Sequence, residues 1–527
     1  MLSLVHVLEW RAAVHPAAIA LSDQQGAELT YAGLADAVDR SAAGFAAAGI
    51  APGGVVPVIA RNQAGWVTAM LGLIRAGALP AAVNRRLTAP EVAALLRLAG
   101  PAAILADADC AALARQAAAG LDRPVPILDL AGQPPAADSA RPTVGARLAP
   151  PERPVSRLHP SEPAILVHTS GTTGRPKLVP LTHQQLITAV VFMKLEVPEA
   201  VPGARHLSAL PLFHVAGLAN LSYTLFTGGH LHLLAGFDPA GFVDELVRRR
   251  IQLTQLVPTL IHAVTQEVSS RAEPPDLSHL TEVVYGASPI RPELLERAVA
   301  VLGCRFRQNY ASSETGPLPI TSLPPEDHDP ARGRLGTAGR PSLGWELRLG
   351  ERGEIQVRGA APLPGYWNDP EATARSLTAD GFYRTGDVGT LDADGYLTIV
   401  DRLSDLVITG GENVYPAEVE AVLAGHPAVA DVAVIGIPDE RWGETVHAVV
   451  VLAPGNTVPG NTARANGDAE SGFDADALVS WARERLAGFK CPTGVTVVPE
   501  LPRNATGKVV RAALRQPFWA GRDRQVS

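Results

Sequence analysis

The sequence predicts an α/β protein: a large N-terminal domain of βα-type subdomains plus a β-rich subdomain, then a small α+β C-terminal domain. Three observations carry this. Up to about residue 150, helix-length runs such as 31–49 (YAGLADAVDRSAAGFAAAG) alternate with short apolar runs such as 55–60 (VVPVIA), the pattern of βα units on a largely parallel sheet. Around 333–400, strand-like runs closed by glycine follow one another: GWELRLG, GEIQVRG and DGYLTIV. Beyond Asp401 the pattern restarts as a short helix, two strands and another helix. At 527 residues the chain is too long for one hydrophobic core, so several subdomains are expected.

Taken in order, residues 1–16 (MLSLVHVLEWRAAVHP) lack a basic segment before an apolar core, and Glu9 and Arg11 interrupt them. They read as a surface helix rather than a signal peptide. Alanine-rich runs such as 42–50 (AAGFAAAGI), punctuated by glycine, suit packed helices. The proline-rich stretch 133–157 is a loop or inter-lobe connection, and a second βα series follows it. A helix is expected to start at Pro416, because proline suits the first helical turn. Strands follow at 431–438 and 445–454. A polar Gly/Asn/Ala-rich mobile insertion spans about 454–473. A last helix at 474–486 places Ala477, Leu478, Trp481 and Ala482 at helical spacing. There is no internal repeat.

Composition excludes several classes. The net charge of −8 gives no electrostatic reason to bind nucleic acid or anionic lipid. No window reaches the roughly 18 apolar residues of a membrane span. Cys110, Cys304 and Cys491 are far apart without a CxxC pair, so neither a disulfide framework nor a structural zinc site is expected. A cytoplasmic protein fits, and a homodimer stays open.

The sharpest feature is 164–186, AILVHTSGTTGRPKLVPLTHQQL. An apolar strand runs into Thr169, Ser170, Gly171, Thr172, Thr173, Gly174, Arg175, Pro176 and Lys177. A short strand follows, then a helix opened by Thr182 with Gln185 placed as in a capping box. Hydroxyls and unencumbered backbone N–H groups wrap phosphate oxygens, and Lys177 adds a mobile positive charge. The lysine lies three residues after the second glycine, unlike the P-loop of nucleotide triphosphatases. The bland alternative is a flexible turn between strands.

This segment resembles the signature of the adenylate-forming superfamily, which holds acyl-CoA synthetases, peptide-synthetase adenylation domains and luciferases. The resemblance spans nearly the whole chain, because further motifs occur in the family's order. Asn309-Tyr310-Ala311-Ser312-Ser313-Glu314 resembles Y-G-x-[TS]-E, and Tyr383-Arg384-Thr385-Gly386-Asp387 resembles [YW]-x-T-G-D. Asp401-Arg402-Leu403-Ser404-Asp405 and Gly410-Gly411-Glu412-Asn413 resemble the hinge and GGEN segments. Residues 501–508, ending in Gly507-Lys508, resemble L-P-x-[TN]-x-x-G-K. Five motifs in order are far more specific than any one alone.

The resemblance implies an AMP-forming acid–thiol ligase whose substrates are a carboxylic acid, ATP and coenzyme A, with Mg2+. Attack of the acid on the α-phosphate makes an acyl-adenylate, and the transition state gathers negative charge that cations and oriented donors must meet. Lys508, Glu314, Lys177 and Thr172 are the expected catalytic groups. Glu314, a carboxylate beside hydroxyls, is also the Mg2+ ligand. Tyr310 offers a flat face to adenine, with Gly286, Ala287 and Ser288 as the opposite wall and Asn309, Ala311, Ser312 and Ser313 nearby. Asp387 suits the ribose hydroxyls and Arg402 the ribose or phosphate. Phe213, His214 and Gly217, in a run resembling P-[LM]-[FY]-H-x-x-G, border the acyl group, although a core histidine fits His214 equally well. His168 reads as structural.

The family's C-terminal domain takes two orientations. One delivers Lys508 for adenylation, and the other brings Gly410, Gly411 and Glu412 to the pantetheine thiol. The implied layout is a 1–401 domain, a 402–404 hinge at Ser404 and a mobile 405–527 domain. Three residues depart from the pattern: Ala311 and Leu178 where glycine is usual, and Ser404 where Asp or Lys is usual. None removes a charged catalytic group. Loading of a carrier protein's pantetheine and specialisation in the thioester half-reaction are the alternatives. A luciferase-like oxygenase would still adenylate first, and a non-catalytic nucleotide binder would predict loss of Lys177, Glu314, Asp387 or Lys508.

Overall fold

The computed structural model describes residues 3–130, 159–169, 176–197, 201–288, 290–360, 363–410, 412–454, 456–457, 471–503 and 508–520. The 133–157 connection and most of the expected 454–473 insertion lie outside them. The chain divides into two compact units: Met1–Leu347 with Val357–Tyr383, and Arg348–Gln356 with Arg384–Ser527.

The first unit is built on two mostly parallel sheets. In the larger, six neighbouring strands run parallel, in the order Arg305–Tyr310, Glu282–Gly286, Leu253–Leu256, Arg205–Ser208, His230–Leu233 and Ile19–Asp23. Antiparallel strands close both edges. In the smaller sheet, Ile127–Asp129, Ile104–Ala106, Val55–Ile59, Leu79–Ala82 and Pro163–Thr169 are parallel, and Lys177–Thr182 closes it antiparallel. Parallel strands covered on both faces read as continuous apolar runs, and every residue of Val55–Ile59 is buried.

One core joins residues of both sheets with the helices Tyr31–Ala47, Ala64–Arg75 and Val215–Thr227. The small residues of the alanine-rich helices serve close packing: a Cβ added to Gly72 would stand 2.5 Å from Ser41 Cβ. The N-terminal helix, Leu4–Val14, forms as expected but is less superficial than its sequence suggests. Leu4, Val5 and Leu8 belong to the main core, while Trp10 and Val14 face outward. Leucine and valine dominate one side of a helix whose two charged residues sit near its middle, so partial burial satisfies both sides.

The glycine-closed runs form the four-stranded sheet Trp345–Leu349, Glu354–Gly359, Tyr383–Leu391 and Leu397–Arg402, and the division between units falls within these strands. The second unit holds a five-stranded sheet in which Val429–Asp439 and Gly443–Leu452 pair antiparallel over their whole length. Gly494–Val497 adds to it in parallel. The helices Pro416–Leu423 and Ala475–Arg483 bury Val419, Leu423, Leu478 and Ala482 against that sheet's core. At the insertion, Asn456–Thr457 pairs with Ser471–Gly472. Among the described residues, no helix is long and apolar enough to cross a membrane.

Candidate active site

The expected phosphate loop joins two antiparallel strands whose facing ends are Thr169 and Lys177. Ser170, Gly171, Thr172, Thr173 and Gly174 lie outside the described residues. The helix after the hairpin starts as its sequence indicates: Thr182 Oγ1 accepts from the Gln185 N–H at 3.1 Å, and Gln185 Oε1 accepts from the Thr182 N–H at 2.9 Å. Leu178, where a glycine is usual, is 2% exposed in the core. His168 Nε2 accepts from the Asn84 N–H at 3.1 Å. Burial, then the neighbouring His214, push its pKa down to about 4, so it is a neutral structural imidazole.

Lys177 and Glu314 come together on a residue that the motifs did not single out. The Lys177 ammonium stands 4.3 Å from the centre of the Tyr366 ring, within cation–π range. The Tyr366 hydroxyl donates to Glu314 Oε1 at 3.0 Å. Burial first, then the Glu314 charge, raise the Tyr366 phenol above its ordinary value, so it stays protonated and donates. Tyr383, the first residue of the Y-x-T-G-D run, is a side-chain hydrogen-bond partner of Tyr366.

Local structure fixes both partners. The Tyr366 N–H donates to Thr373 Oγ1 at 2.8 Å, and the next N–H, of Trp367, donates to the Leu178 carbonyl at 2.8 Å. That second bond ties Tyr366 to the strand that carries Lys177. Gly365 before it has φ +100° and stands against Thr373, where any side chain would collide. Glu314 lies in a turn just beyond the parallel strand Arg305–Tyr310. In that turn the Ser312 N–H donates to Thr315 Oγ1 at 3.1 Å and the Thr315 N–H donates to Ser312 Oγ at 3.2 Å. Ser313 is half-buried between them. Ligand crevices of α/β sheets open at the carboxyl ends of parallel strands.

The expected adenine walls meet in the neighbouring pair of strands. Gly286 is in register with Asn309, and a Cβ on Gly286 would lie 2.2 Å from the Asn309 carbonyl oxygen. Only glycine fits there. Ala287 follows in the left-handed region at φ 70°, exposed, with Ser288 half-buried beyond it. Tyr310 is 8% exposed and Ala311 is exposed. Asn309 Oδ1 is buried with no hydrogen-bond partner among the described residues, an acceptor that fits a purine's exocyclic amine.

The loop expected to border the acyl group is held by a residue the motifs also passed over. Asn62 Nδ2 donates to the Leu210 carbonyl at 2.8 Å, and Asn62 Oδ1 accepts from the Leu212 N–H at 2.9 Å. Phe213 is buried, and His214 precedes the helix Val215–Thr227 as a neutral imidazole because burial lowers its pKa. Gly217 has a packing reason of its own: a Cβ there would lie 2.2 Å from the Pro211 carbonyl oxygen.

In the second unit, Asp387 and Arg402 face each other on adjacent antiparallel strands and pair at 3.1 Å. Lys508 lies in the same field. Burial, then Arg402, lower its pKa to about 8 against the opposing pull of Asp387 and Asp405. The Ser404 carbonyl accepts from Arg515 at 3.2 Å, and Asp405 accepts from Arg515 at 3.0 Å and from Arg511 at 3.3 Å. Gly410 has φ 59° and lies under the Trp442 ring, which a Cβ would approach to 2.7 Å. Glu412 is exposed, and Gly411 lies outside the described residues. No group of three or more His, Cys, Asp or Glu side chains that could hold a metal ion gathers among the described residues. Mg2+ held by one carboxylate and substrate phosphates needs no such cage, and the single Glu314 carboxylate suits it.

A family model described as AMP-binding enzyme matches residues 8–367, and one described as AMP-binding enzyme C-terminal domain matches 418–508. A feruloyl-CoA synthase of Amycolatopsis sp is 36% identical over 96% of this chain and 97% of its own length. A fatty acid–acyl-carrier-protein ligase of Streptomyces coeruleorubidus is 34% identical over 95% of this chain and 94% of its own. Among solved structures, o-succinylbenzoate coenzyme A synthetase of Bacillus subtilis, in complex with ATP and magnesium ion, superposes with a TM-score of 0.81 at 29% identity, covering 96% of this chain and 98% of that one. With matching sequence, fold and motif order, this chain belongs to the AMP-binding enzyme family.

Proposed function

We propose that the chain is an ATP-dependent acid–thiol ligase that makes an acyl-adenylate, releases pyrophosphate and passes the acyl group to coenzyme A. The observation that carries this reading is the meeting of Lys177 and Glu314 on Tyr366, at the carboxyl ends of parallel strands and beside the expected phosphate loop. A cation, a carboxylate and hydroxyls gathered there suit the triphosphate of ATP, and Asn309 Oδ1 with the Gly286 backbone suits its adenine.

In the first half-reaction the acid's oxygen attacks the α-phosphorus and the bond to pyrophosphate breaks. Lys177 holds phosphate oxygens, Glu314 holds Mg2+, Asp387 holds the ribose hydroxyls with Arg402, and Lys508 meets charge that builds between carboxylate and phosphate. Mg2+ supplies charge neutralisation at the phosphates. In the second half-reaction the thiol attacks the acyl carbon and AMP leaves, with Lys508 withdrawn and Gly410, Gly411 and Glu412 beside the pantetheine. We place the hinge at Ser404 within 402–404 and the protein in the cytoplasm.

Isotope exchange between pyrophosphate and ATP, run with a panel of aliphatic, aromatic and polycyclic acids, tests the reading. Exchange that depends on one acid class is expected, followed by thioester formation with free CoA. ATP turnover independent of every acid would refute it. The identity with a fatty acid–acyl-carrier-protein ligase supports one alternative, in which the thiol belongs to a carrier protein. The same assay with a pantetheinylated carrier decides between acceptors.

A further inference from the structure

We propose that Tyr366 is a positioning residue for adenylation, orienting Glu314 through its hydroxyl and Lys177 through its ring face, and keeping the two charges apart. This rests on the reading that Lys177 and Glu314 serve MgATP. Glu314 and Lys177 carry opposite charges in one small site, and a direct ion pair would consume both. Among the described residues no ion pair joins them; each instead meets a different part of one neutral side chain.

The division of labour follows from the chemistry of a phenol. Its O–H occupies Glu314 Oε1 and leaves Oε2 and the other lone pairs for a cation. Its ring attracts the Lys177 ammonium by its quadrupole without taking any N–H as a conventional hydrogen-bond donor, so those N–H groups stay available to phosphate oxygens. Tyr383 fixes the phenol's rotation by hydrogen-bonding its oxygen, and the Trp367–Leu178 backbone bond fixes the ring's distance from the Lys177 strand. Tyr366 therefore couples the phosphate loop to the metal carboxylate although the three residues come from distant parts of the chain.

The test separates hydroxyl from ring. Tyr366→Phe keeps the ring and removes the hydroxyl, and the Mg2+ concentration for half-maximal pyrophosphate–ATP exchange should rise about tenfold, the size of one hydrogen bond to a charged group. Thioester formation from synthetic acyl-adenylate should stay at the wild-type rate, which a general folding defect would not allow. Tyr366→Leu should add a rise in the KM for ATP that is absent when Lys177→Met is already present. The Tyr366→Phe effect should likewise vanish in a Glu314→Gln background. If Tyr366→Phe proves insoluble, Tyr383→Phe gives the same readout with a smaller shift. Additive losses in these double variants, or equal loss of both half-reactions, overturn the role of Tyr366. Wild-type exchange in Glu314→Gln and Lys177→Met would instead overturn the underlying ATP reading.

Discussion

The two lysines assigned to phosphate chemistry are kept in contrasting surroundings. Lys177 lies against the face of a neutral aromatic ring, and Glu314 is engaged by that ring's hydroxyl. Lys508 sits in a crowd of alternating charges, with Arg402 and burial pressing its proton off and Asp387 and Asp405 holding it on. The first arrangement secures a geometry. The second makes a charge conditional on its neighbours, so that Lys508 titrates close to physiological pH. A group proposed to serve one half-reaction and leave for the other suits the conditional arrangement, because substrate phosphate would add to the pull of Asp387 and Asp405 on its charge.

The comparison can be broken at three levels, the largest first. The unit that carries Lys177 also buries histidines: His168, His183, His206, His230 and His232 are all pushed down to about 4, by burial first. Each is neutral in the folded unit and takes a proton readily once unfolded. Their full stability is therefore present above the unfolded value near 6.5 and is lost as pH falls from there towards 4. For the fully buried His206 the loss is on the order of 3 kcal/mol. Urea midpoints should fall steeply between about pH 7 and about pH 5, with proteolysis cutting the first unit before the second. A flat midpoint over that window contradicts these burial assignments.

Next comes Lys508→Ala, which should cut adenylation by about 10²–10³, or roughly 2.7–4 kcal/mol of barrier. Thioester formation from synthetic acyl-adenylate should be spared. In the wild type, kcat/KM for adenylation should fall as pH rises through about 8, where Lys508 loses its proton. Lys508→Arg should remove that limb, and a limb that survives the arginine belongs to another group. The smallest effect concerns backbone strain. Ala287 holds φ 70° beside the proposed adenine wall, and Ala287→Gly should raise stability by about 1 kcal/mol through relief of a left-handed alanine. A drop in melting temperature would show that the Ala287 methyl makes contacts worth more than the strain.

Much of this was legible in the sequence because the signals are local. The capping box at Thr182 and Gln185, the proline-opened helix at Pro416 and the glycine-closed strands all depend on residues within a few positions of one another. The ordered motifs marked Lys177, Glu314, Asp387 and Lys508 for the same reason. What could not be read is what the strand order brings together. Tyr366 joins Lys177 and Glu314, and Asn62 pins the loop before Phe213, through contacts between distant segments. A tyrosine after a glycine carries no mark of its own in composition or spacing. Gly217 belongs to a run that resembles an acyl-binding motif, while the approach of the Pro211 carbonyl gives it a steric reason that holds whatever the substrate. The N-terminal helix shows the converse: its two charges suggest a surface position, and its leucines bury it.

Arg511 and Arg515, on the short helix Arg511–Arg515, clasp the buried Asp405 carboxylate and the Ser404 carbonyl. Any engineering that cuts into this helix reaches the hinge proposed at Ser404 directly. A tag or reporter grafted within it would strip a buried anion of these two arginines and reset the freedom of the hinge proposed at Ser404, and it would be felt at Lys508, which lies in the field of Asp405. The same leverage makes these two arginines a natural handle for installing chemical control over the proposed hinge.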